Sequence, residues 1–388
     1  MNARYKRGFQ DGKNRTTKFD IMCNHARYSD ELKLILKEEE DQFKFTILRN
    51  PTTLVKSSFS YFFQGTPAFE AAGTFERFIE NPDKWWKNSS KNKMYWFAKN
   101  GMSYDLGWTG DDYRGAQTEN YFDALSEEEK SLKIQEFIEN MDEIFDFVMI
   151  TEYMDYGVLI LKKMLNLSYD DIVYMTVNKN MKNDEGQKAE KNSKQNSEET
   201  SQISSGENSE KKPRKVHDFQ ESYAENFASV DNALYNHFNK TFWKTVELYE
   251  ITEADVAYFQ NHRETVFKRC FRQPVVFNRR QMYLTGNKMQ VIDREFHPWV
   301  QPGSKIMVYT FTERGEKSEF CRSLVRPELS FAQRIRVKQD LPMDGKMLMD
   351  GFYNMLQSND KLYGDRSRVI HRIAEVMRLP DIYNITFQ

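Results

Sequence analysis

Arg49, Pro51 and Ser57 have side chains and spacing that suit the binding of a phosphate group. A guanidinium binds phosphate oxygens as a bidentate fork, and a serine hydroxyl adds another donor. The apolar run before Arg49 predicts a buried strand, and Asn50 followed by Pro51 predicts a helix start. Ligands of open α/β sheets collect where strands end, so the pattern predicts an anion site formed by Arg49, Ser57 and the helix N-terminus. On local pattern alone, an ordinary helix start explains it equally simply.

A histidine in the block FDIMCNHARY, residues 19–28, is the candidate general base. Imidazole titrates near neutral pH and can take a proton from a hydroxyl group. His25 follows a short apolar run that predicts a strand over 20–23, and its alternative role is a turn histidine bonded to backbone. The other five histidines lack metal-ligand spacing and the three cysteines lack a C-x-x-C pair, so no metal site is predicted.

Three further polar residues are weaker candidates for binding a substrate. Asn100 and Asp105 lie in AKNGMSYDLG, and Glu152 follows the apolar run 145–151, which predicts a second strand. The alternatives are surface-loop positions for Asn100 and Asp105, and a cap on the next helix for Glu152. The many aromatic residues of 65–125 would fill the core or form one wall of a sugar site.

Several blocks of the chain resemble the galactose-3-O-sulfotransferases, a family that includes galactosylceramide sulfotransferase. Arg49 with Pro51 and Ser57 resembles the 3′-phosphate motif of sulfotransferases that use 3′-phosphoadenylyl sulfate. The other similar blocks follow in family order, at residues 19–28, 147–165, 170–178, 234–243 and 321–331. The resemblance spans roughly residues 5–340 and implies that Arg49 and Ser57 bind the donor, whereas His25 is the base.

This resemblance implies an enzyme that moves a sulfuryl group from 3′-phosphoadenylyl sulfate to the 3-hydroxyl of a terminal galactose. The acceptor would be a glycolipid or glycan, the transfer would need no metal, and the enzyme would act on the lumenal side of the Golgi membrane. The alternatives are an N-terminally truncated, non-catalytic relative that binds nucleotide or glycan, and a nucleotide kinase or other P-loop protein. The lack of a GxxxxGK[ST] motif counts against the P-loop alternative.

The resemblance also implies an α/β fold of the P-loop-like sulfotransferase type, with a parallel sheet flanked by helices. One family feature has no counterpart, because no Lys-x-x-Lys-[Ser/Thr]-Gly loop for the 5′-phosphosulfate occurs in the chain. We expect that loop, the first strand and a membrane anchor to precede Met1.

Composition limits the class of protein and its partners. The net charge is −2, and no lysine- and arginine-rich block with interleaved aromatics occurs, so a nucleic-acid partner is not predicted. No apolar run is long enough for a membrane span. In a lumenal enzyme Cys270 and Cys321 would form a disulfide, and the equally good alternative is two buried thiols. Five Asn-x-Ser/Thr sequons are present, at Asn14, Asn88, Asn166, Asn239 and Asn384.

A shift in composition predicts the domain organisation. Residues 179–216 have almost no large apolar side chains and predict a disordered insertion. We therefore expect one sulfotransferase domain in two parts, 1–178 and 217–340. Residues 341–388 form a C-terminal extension to which the sequence assigns no role. Helices are predicted from Ser29 to about residue 40, over 126–141 with a capping box of Ser126 and Glu129, as a pair over 230–249, over 252–272 and at 343–357. A further strand is predicted at 171–177.

Overall fold

The structure is a computed structural model that describes residues 27–29, 42–88, 94–111, 122–175, 211–272, 275–278 and 305–327. These residues divide into two compact units. The first falls within 1–168 and 203–258, and the second within 169–202 and 259–388. Of the predicted elements, the strand at 20–23, most of the helix after Ser29 and the helix at 343–357 lie outside the described residues.

A short parallel sheet lies in the first unit. Strand β1 (Phe45–Leu48) pairs with β2 (Phe147–Ile150), and Leu48 is opposite Ile150. Every residue of β2 is buried, as expected for a strand covered on both faces. In β1 only Leu48 is buried, whereas Phe45 and Ile47 are exposed, so the strand before Arg49 is confirmed but its predicted burial is wrong. Parallel strands end at the same edge, so Arg49 and the residues after β2 lie side by side. The Thr151 hydroxyl reinforces this edge by donating to the Leu48 carbonyl oxygen at 2.9 Å.

Two residues, Arg49 and Asn50, separate β1 from helix α1 (Pro51–Phe62), which begins at the proline as the sequence predicts. Asn50 is its N-cap, because the side-chain oxygen accepts from the backbone N–H of Thr52 at 2.9 Å. Proline at the first helical position loses no hydrogen bond there. Short helices follow: α2 (Pro67–Ala72), α3 (Phe75–Glu80), α4 (Pro82–Asn88), a 3₁₀ turn (Tyr95–Ala98) and α5 (Gly101–Asp105).

Longer helices follow in the described part of the first unit. Helix α6 (Glu127–Ile144) opens with the predicted capping box of Ser126 and Glu129. After β2 come a 3₁₀ turn (Thr151–Tyr153) and α7 (Met154–Met164). Helix α8 (Lys211–Ser222) continues through a π-helical turn (Tyr223–Phe227) into α9 (Ser229–Leu248). The helix pair predicted for 230–249 is therefore wrong, because one uninterrupted helix covers nearly all of it.

Aromatic side chains form most of the core of this unit. Phe69, Phe78 and Tyr95 are fully buried, and Trp86 stacks on Tyr95 with ring centroids 3.5 Å apart. Phe59 of α1 contacts four other phenylalanine rings, which ties α1 to the short helices. These rings fill the core, the commoner of the two roles considered for residues 65–125.

The second unit is held by a disulfide. Helix α10 (Glu253–Cys270) ends at the cysteine that bonds to Cys321, and the Cα atoms are 5.3 Å apart. Cys321 lies on α12 (Glu319–Leu324), which follows α11 (Glu313–Lys317). Strands β3 (Val275–Asn278) and β4 (Lys305–Val308) pair antiparallel. The predicted bridge is thus confirmed over its alternative of two buried thiols.

Two sequence predictions need correction or restriction. A strand at 171–177 is wrong for residues 171–175, which form a turn and irregular chain. Ile172 and Val173 are buried there, so the apolar run reflects burial without strand pairing. The last residues of the predicted insertion, 211–216, belong to α8, and the remainder lies outside the described residues. None of the described helices is both long and apolar enough to cross a membrane.

Helices around a small parallel sheet agree with the predicted α/β class. The P-loop-like topology and the position of a further first strand stay predictions, because the described parallel sheet consists of β1 and β2.

Candidate functional site

Arg49 stands at the carboxyl end of β1, as predicted. Its Nε donates to Thr53 Oγ1 at 3.2 Å, and its backbone N–H contacts Met102 Sδ at 3.3 Å. The side chain forms no ion pair with any residue in the described ranges, and Nε is the only guanidinium nitrogen that makes a hydrogen bond there. The Nη edge of the guanidinium is therefore available to an anion.

The backbone amides at the start of α1 do not contribute to this site as the sequence predicts. The Thr52 N–H is bonded to the Asn50 side chain, and the Thr53 and Leu54 N–H groups donate to the Asn50 carbonyl oxygen. The Asn50 N–H donates to Glu152 Oε1 at 3.1 Å, and proline at 51 has no N–H. The expectation that this helix N-terminus supplies donors is wrong, because the protein itself uses them all. An anion here would depend on side chains.

Ser57 lies on α1 one turn after Thr53, and Thr53 lies one turn after Arg49 in sequence. Residues four apart share a helix face, so Thr53 and Ser57 form one polar stripe leading away from the guanidinium. Thr53 is exposed and Ser57 is half-buried. Ser58, in contrast, is buried on the adjacent face of the helix.

A cavity of about 130 Å³ lies between α1, α5 and α9. Neither Arg49 nor Ser57 lines it. The lining is mostly apolar and includes two carboxylates, on Asp105 and Asp231, but no lysine or arginine. Sites for drug-sized ligands occupy about 300–1,000 Å³, so a whole nucleotide does not fit. A cavity of about 150 Å³ holds one benzene ring, so a single six-membered ring is the right scale.

Asp231 was not identified from the sequence. It is only 3% exposed, and its carboxylate accepts from the Ser103 hydroxyl at 2.6 Å and from the backbone N–H groups of Ser103 and Met102 at 2.8 and 3.2 Å. Burial raises its pKa to about 6, because the charged form loses its hydration. In the sequence, Asp231 is recognisable only as an acidic residue in the first turn of an aromatic-rich helix. Such residues are too common to indicate a functional site.

Asn100 occupies a buried network next to this aspartate. Its Nδ2 donates to Asp111 Oδ2 at 2.8 Å, and its Oδ1 accepts from the Asp231 N–H at 3.2 Å. It has a left-handed backbone conformation, with φ of 47°, and is 0% exposed. The alternative of a surface-loop residue is therefore wrong for Asn100. Asp105, at the end of α5, is exposed and lines the cavity.

A buried lysine neutralises part of the same network. Lys99 forms ion pairs with Asp111 and Asp123, each at 3.0 Å. Burial alone lowers the pKa of Lys99, but the two carboxylates outweigh it and the pKa is raised above the usual value. Lys99 therefore stays charged and binds the carboxylates of Asp111 and Asp123.

His25 lies outside the described residues, but Arg27 and Tyr28, which follow it closely, are hydrogen-bonded to the end of α5 and the residues after it. Arg27 donates from Nε to the Tyr104 carbonyl oxygen at 2.8 Å and from Nη2 to those of Gly107 and Trp108 at 3.0 and 2.6 Å. The Tyr28 N–H donates to the Asp105 carbonyl oxygen at 2.7 Å. The C-terminal end of FDIMCNHARY is thereby bound to the end of α5, beside Asp105.

Glu152 follows β2 and is exposed at the same sheet edge as Arg49. Its Oε1 accepts from the Asn50 N–H at 3.1 Å and from Thr53 Oγ1 at 3.4 Å. The glutamate therefore binds the start of α1. The alternative role expected for Glu152 was a cap on the helix after β2. The structure shows contacts with the start of α1 instead.

A parallel strand that ends at Arg49 and continues into a helix is the arrangement of an α/β protein. The family model described as Galactose-3-O-sulfotransferase matches residues 2–199 and 204–339. This covers most of the chain, which therefore belongs to the galactose-3-O-sulfotransferase family.

Curated relatives resemble the chain at low identity over most of its length. Galactose-3-O-sulfotransferase 2 of Sus scrofa is 24% identical over 87% of this chain and 72% of its own length. Galactose-3-O-sulfotransferase 3 of Mus musculus is 27% identical, over 82% and 64%. Galactosylceramide sulfotransferase of Homo sapiens is 24% identical, over 81% and 63%. The chain thus spans about two thirds of the length of these relatives. No solved structure matches it.

Proposed function

We propose that this protein transfers a sulfuryl group from 3′-phosphoadenylyl sulfate to the 3-hydroxyl of a terminal galactose on a glycolipid or glycan. The observation that carries the proposal is the unpaired Arg49 guanidinium at the carboxyl end of β1, in a chain that belongs to the galactose-3-O-sulfotransferase family. A guanidinium fork is a strong ligand for a phosphate dianion, because its N–H groups make parallel charge-assisted hydrogen bonds to two oxygens.

The donor binds by its 3′-phosphate to Arg49 and Ser57. In the transfer, the galactose 3-oxygen forms a bond to sulfur while the bond from sulfur to the phosphate oxygen breaks, and the bisphosphate nucleotide leaves. His25 accepts the proton of the galactose hydroxyl. No covalent enzyme intermediate is needed, since positioning and charge stabilisation carry most of such transfers.

The galactose acceptor binds next to Asp105, at the cavity between α1, α5 and α9. The cavity lined by Asp105 and Asp231 is too small for the nucleotide, and its carboxylates repel an anionic donor. Aromatic and apolar walls with a few carboxylates suit a neutral hydroxylated ring. Asp105 is also adjacent to the backbone contact that holds the His25 block, which supports a position near the reacting hydroxyl. Asn100 and Glu152 stay weaker candidates for orienting the acceptor.

The cellular setting follows from the same proposal. We place the enzyme on the lumenal side of the Golgi membrane. The disulfide between Cys270 and Cys321 supports an oxidising compartment. No nucleic-acid partner or metal is part of the proposed reaction.

The donor site is tested by calorimetric titration with adenosine 3′,5′-bisphosphate and, as a control ligand, adenosine 5′-monophosphate. The unchanged protein should prefer the bisphosphate by tenfold or more, and Arg49→Ala should abolish that preference, a loss of about 1.5–3 kcal/mol. Arg49→Lys, which keeps the charge without the fork, should be intermediate. Equal affinity for both nucleotides would refute the donor site. Binding without transfer to a galactoside would instead favour the non-catalytic relative.

A further inference from the structure

The start of α1 contains one hydroxyl that contacts both charged residues of the sheet edge. Thr53 Oγ1 accepts from Arg49 Nε at 3.2 Å, and it lies 3.1 Å from the Asn50 carbonyl oxygen and 3.4 Å from Glu152 Oε1. A hydroxyl has one proton to donate, so it serves one of these two oxygens while it accepts from the arginine.

Arg49 and Glu152 do not pair directly, although they flank the same threonine. No nitrogen of Arg49 lies within ion-pair distance of a carboxylate in the described ranges. An arginine beside a glutamate would ordinarily form a bidentate pair that closes both ends of the fork. Here Thr53 occupies the Nε edge, whereas Glu152 is engaged by the Asn50 N–H at 3.1 Å. The arrangement keeps the guanidinium oriented and open at its Nη edge.

Helix geometry adds a second reason to single out Thr53. It lies between Arg49 and Ser57 on the polar stripe, and the backbone amides of the helix start are already bonded within the protein. The orientation of the anion-binding arginine therefore depends on a side chain, and Thr53 is the described side chain that contacts the guanidinium.

We propose that Thr53 is a positioning residue of the donor site: its hydroxyl holds Arg49 by Nε so that the two Nη groups face the 3′-phosphate, and it donates its one proton to the Asn50 carbonyl oxygen or to Glu152. This inference rests on the proposed function. It adds a residue that neither the sequence motif nor the family match assigns to the site.

The test compares Thr53→Val, which keeps the shape and removes the hydroxyl, with Thr53→Ser, which keeps the hydroxyl. Affinities for adenosine 3′,5′-bisphosphate and adenosine 5′-monophosphate are measured by calorimetry, and folding by the thermal midpoint. Thr53→Val should weaken binding of the bisphosphate about tenfold and leave binding of the monophosphate nearly unchanged. Thr53→Ser should restore most of the affinity.

Thr245→Val is the matched control, since the Thr245 hydroxyl also bonds a helix carbonyl, that of Thr241 at 3.0 Å, away from the sheet edge. It should leave both affinities unchanged. The inference is overturned if Thr53→Val binds the bisphosphate like the unchanged protein, or if Thr53→Ser is as weak as Thr53→Val. Failure of the proposed function is a separate result, because the unchanged protein would then show no preference for the bisphosphate.

Discussion

At the scale of single residues, the site depends on which polar groups are satisfied inside the protein and which are not. Asn50 uses its side chain, its carbonyl and its N–H to organise the start of α1. Arg49, one residue earlier, keeps the Nη edge of its guanidinium unused among the described residues. An oriented guanidinium with a free Nη edge is what the proposed donor site requires, because the planar fork matches the geometry of a phosphate group.

The catalytic role proposed for His25 is tested by His25→Ala. Loss of the base should lower turnover by about two to four orders of magnitude, whereas the affinity for adenosine 3′,5′-bisphosphate should stay nearly the same. Steady-state transfer rates and calorimetry measure the two effects separately. An equal loss of nucleotide affinity in His25→Ala and Arg49→Ala would contradict the assigned division of roles.

Asp231 should make stability depend on pH in a predictable direction. Its pKa is about 6 in the folded protein and 3.8 in the reference state, so the folded state holds the proton more tightly. Its favourable contribution is therefore complete below about pH 4 and is lost as the pH rises through about 6, with at most about 3 kcal/mol involved. The pKa of Asp231 is raised because burial removes the hydration of the charged carboxylate.

Asp231→Asn removes this titration and keeps an oxygen for the Ser103 groups. The difference in unfolding free energy between the two proteins, measured by urea denaturation from pH 4 to pH 7, should shift in favour of the variant as the pH rises. A difference that is constant across that range would show that Asp231 does not titrate there.

At the scale of elements, the short parallel sheet brings the site together. Parallel pairing of β1 with β2 puts Arg49 and Glu152 at one edge, and α1 carries Thr53 and Ser57 away from it. Helix α5 supplies Asp105 and binds the end of the His25 block through the Tyr28 N–H. The elements are short, so contacts between them hold the arrangement more than helix propensity does.

The disulfide links α10 to α12 across a sequence separation of 51 residues. Cross-linking a loop of that length restricts the unfolded chain and contributes about 4 kcal/mol in the chain-entropy treatment. Cys270→Ser with Cys321→Ser should therefore lower the thermal midpoint of unfolding, measured by calorimetry, by several degrees or more. Reduction of the unchanged protein with dithiothreitol is the control, and it should lower the midpoint to that of the double variant. A midpoint equal to that of the unchanged protein in the double variant would mean that the bridge does not form.

At the scale of the whole molecule, every candidate residue that the structure describes lies in the first unit: Arg49, Ser57, Asn100, Asp105, Glu152 and Asp231. The family match nevertheless extends through residue 339, well into the second unit. The sequence blocks at 234–243 and 321–331 are therefore part of the family pattern without supplying any of these side chains. They contribute to packing, as the burial of Phe238 and Cys321 shows.

Local patterns in the sequence were sufficient for the strand before Arg49, the proline-started helix after it and the capping box of α6. Each of these depends on residues close together in the chain, where hydrogen-bonding and side-chain periodicity limit the outcomes. The predicted strand at 171–177 failed because burial alone does not decide between a strand and an irregular segment.

Only the tertiary structure decided which polar groups meet. Glu152 bonds the start of α1, Asp231 bonds the start of α5, and Asn100 is buried between two aspartates. These partners are distant in sequence, and no periodic pattern connects them. Whether a carboxylate faces water, a ligand or a backbone amide depends on what the fold packs against it, and for this reason the residue types at the site were predictable but their partners were not.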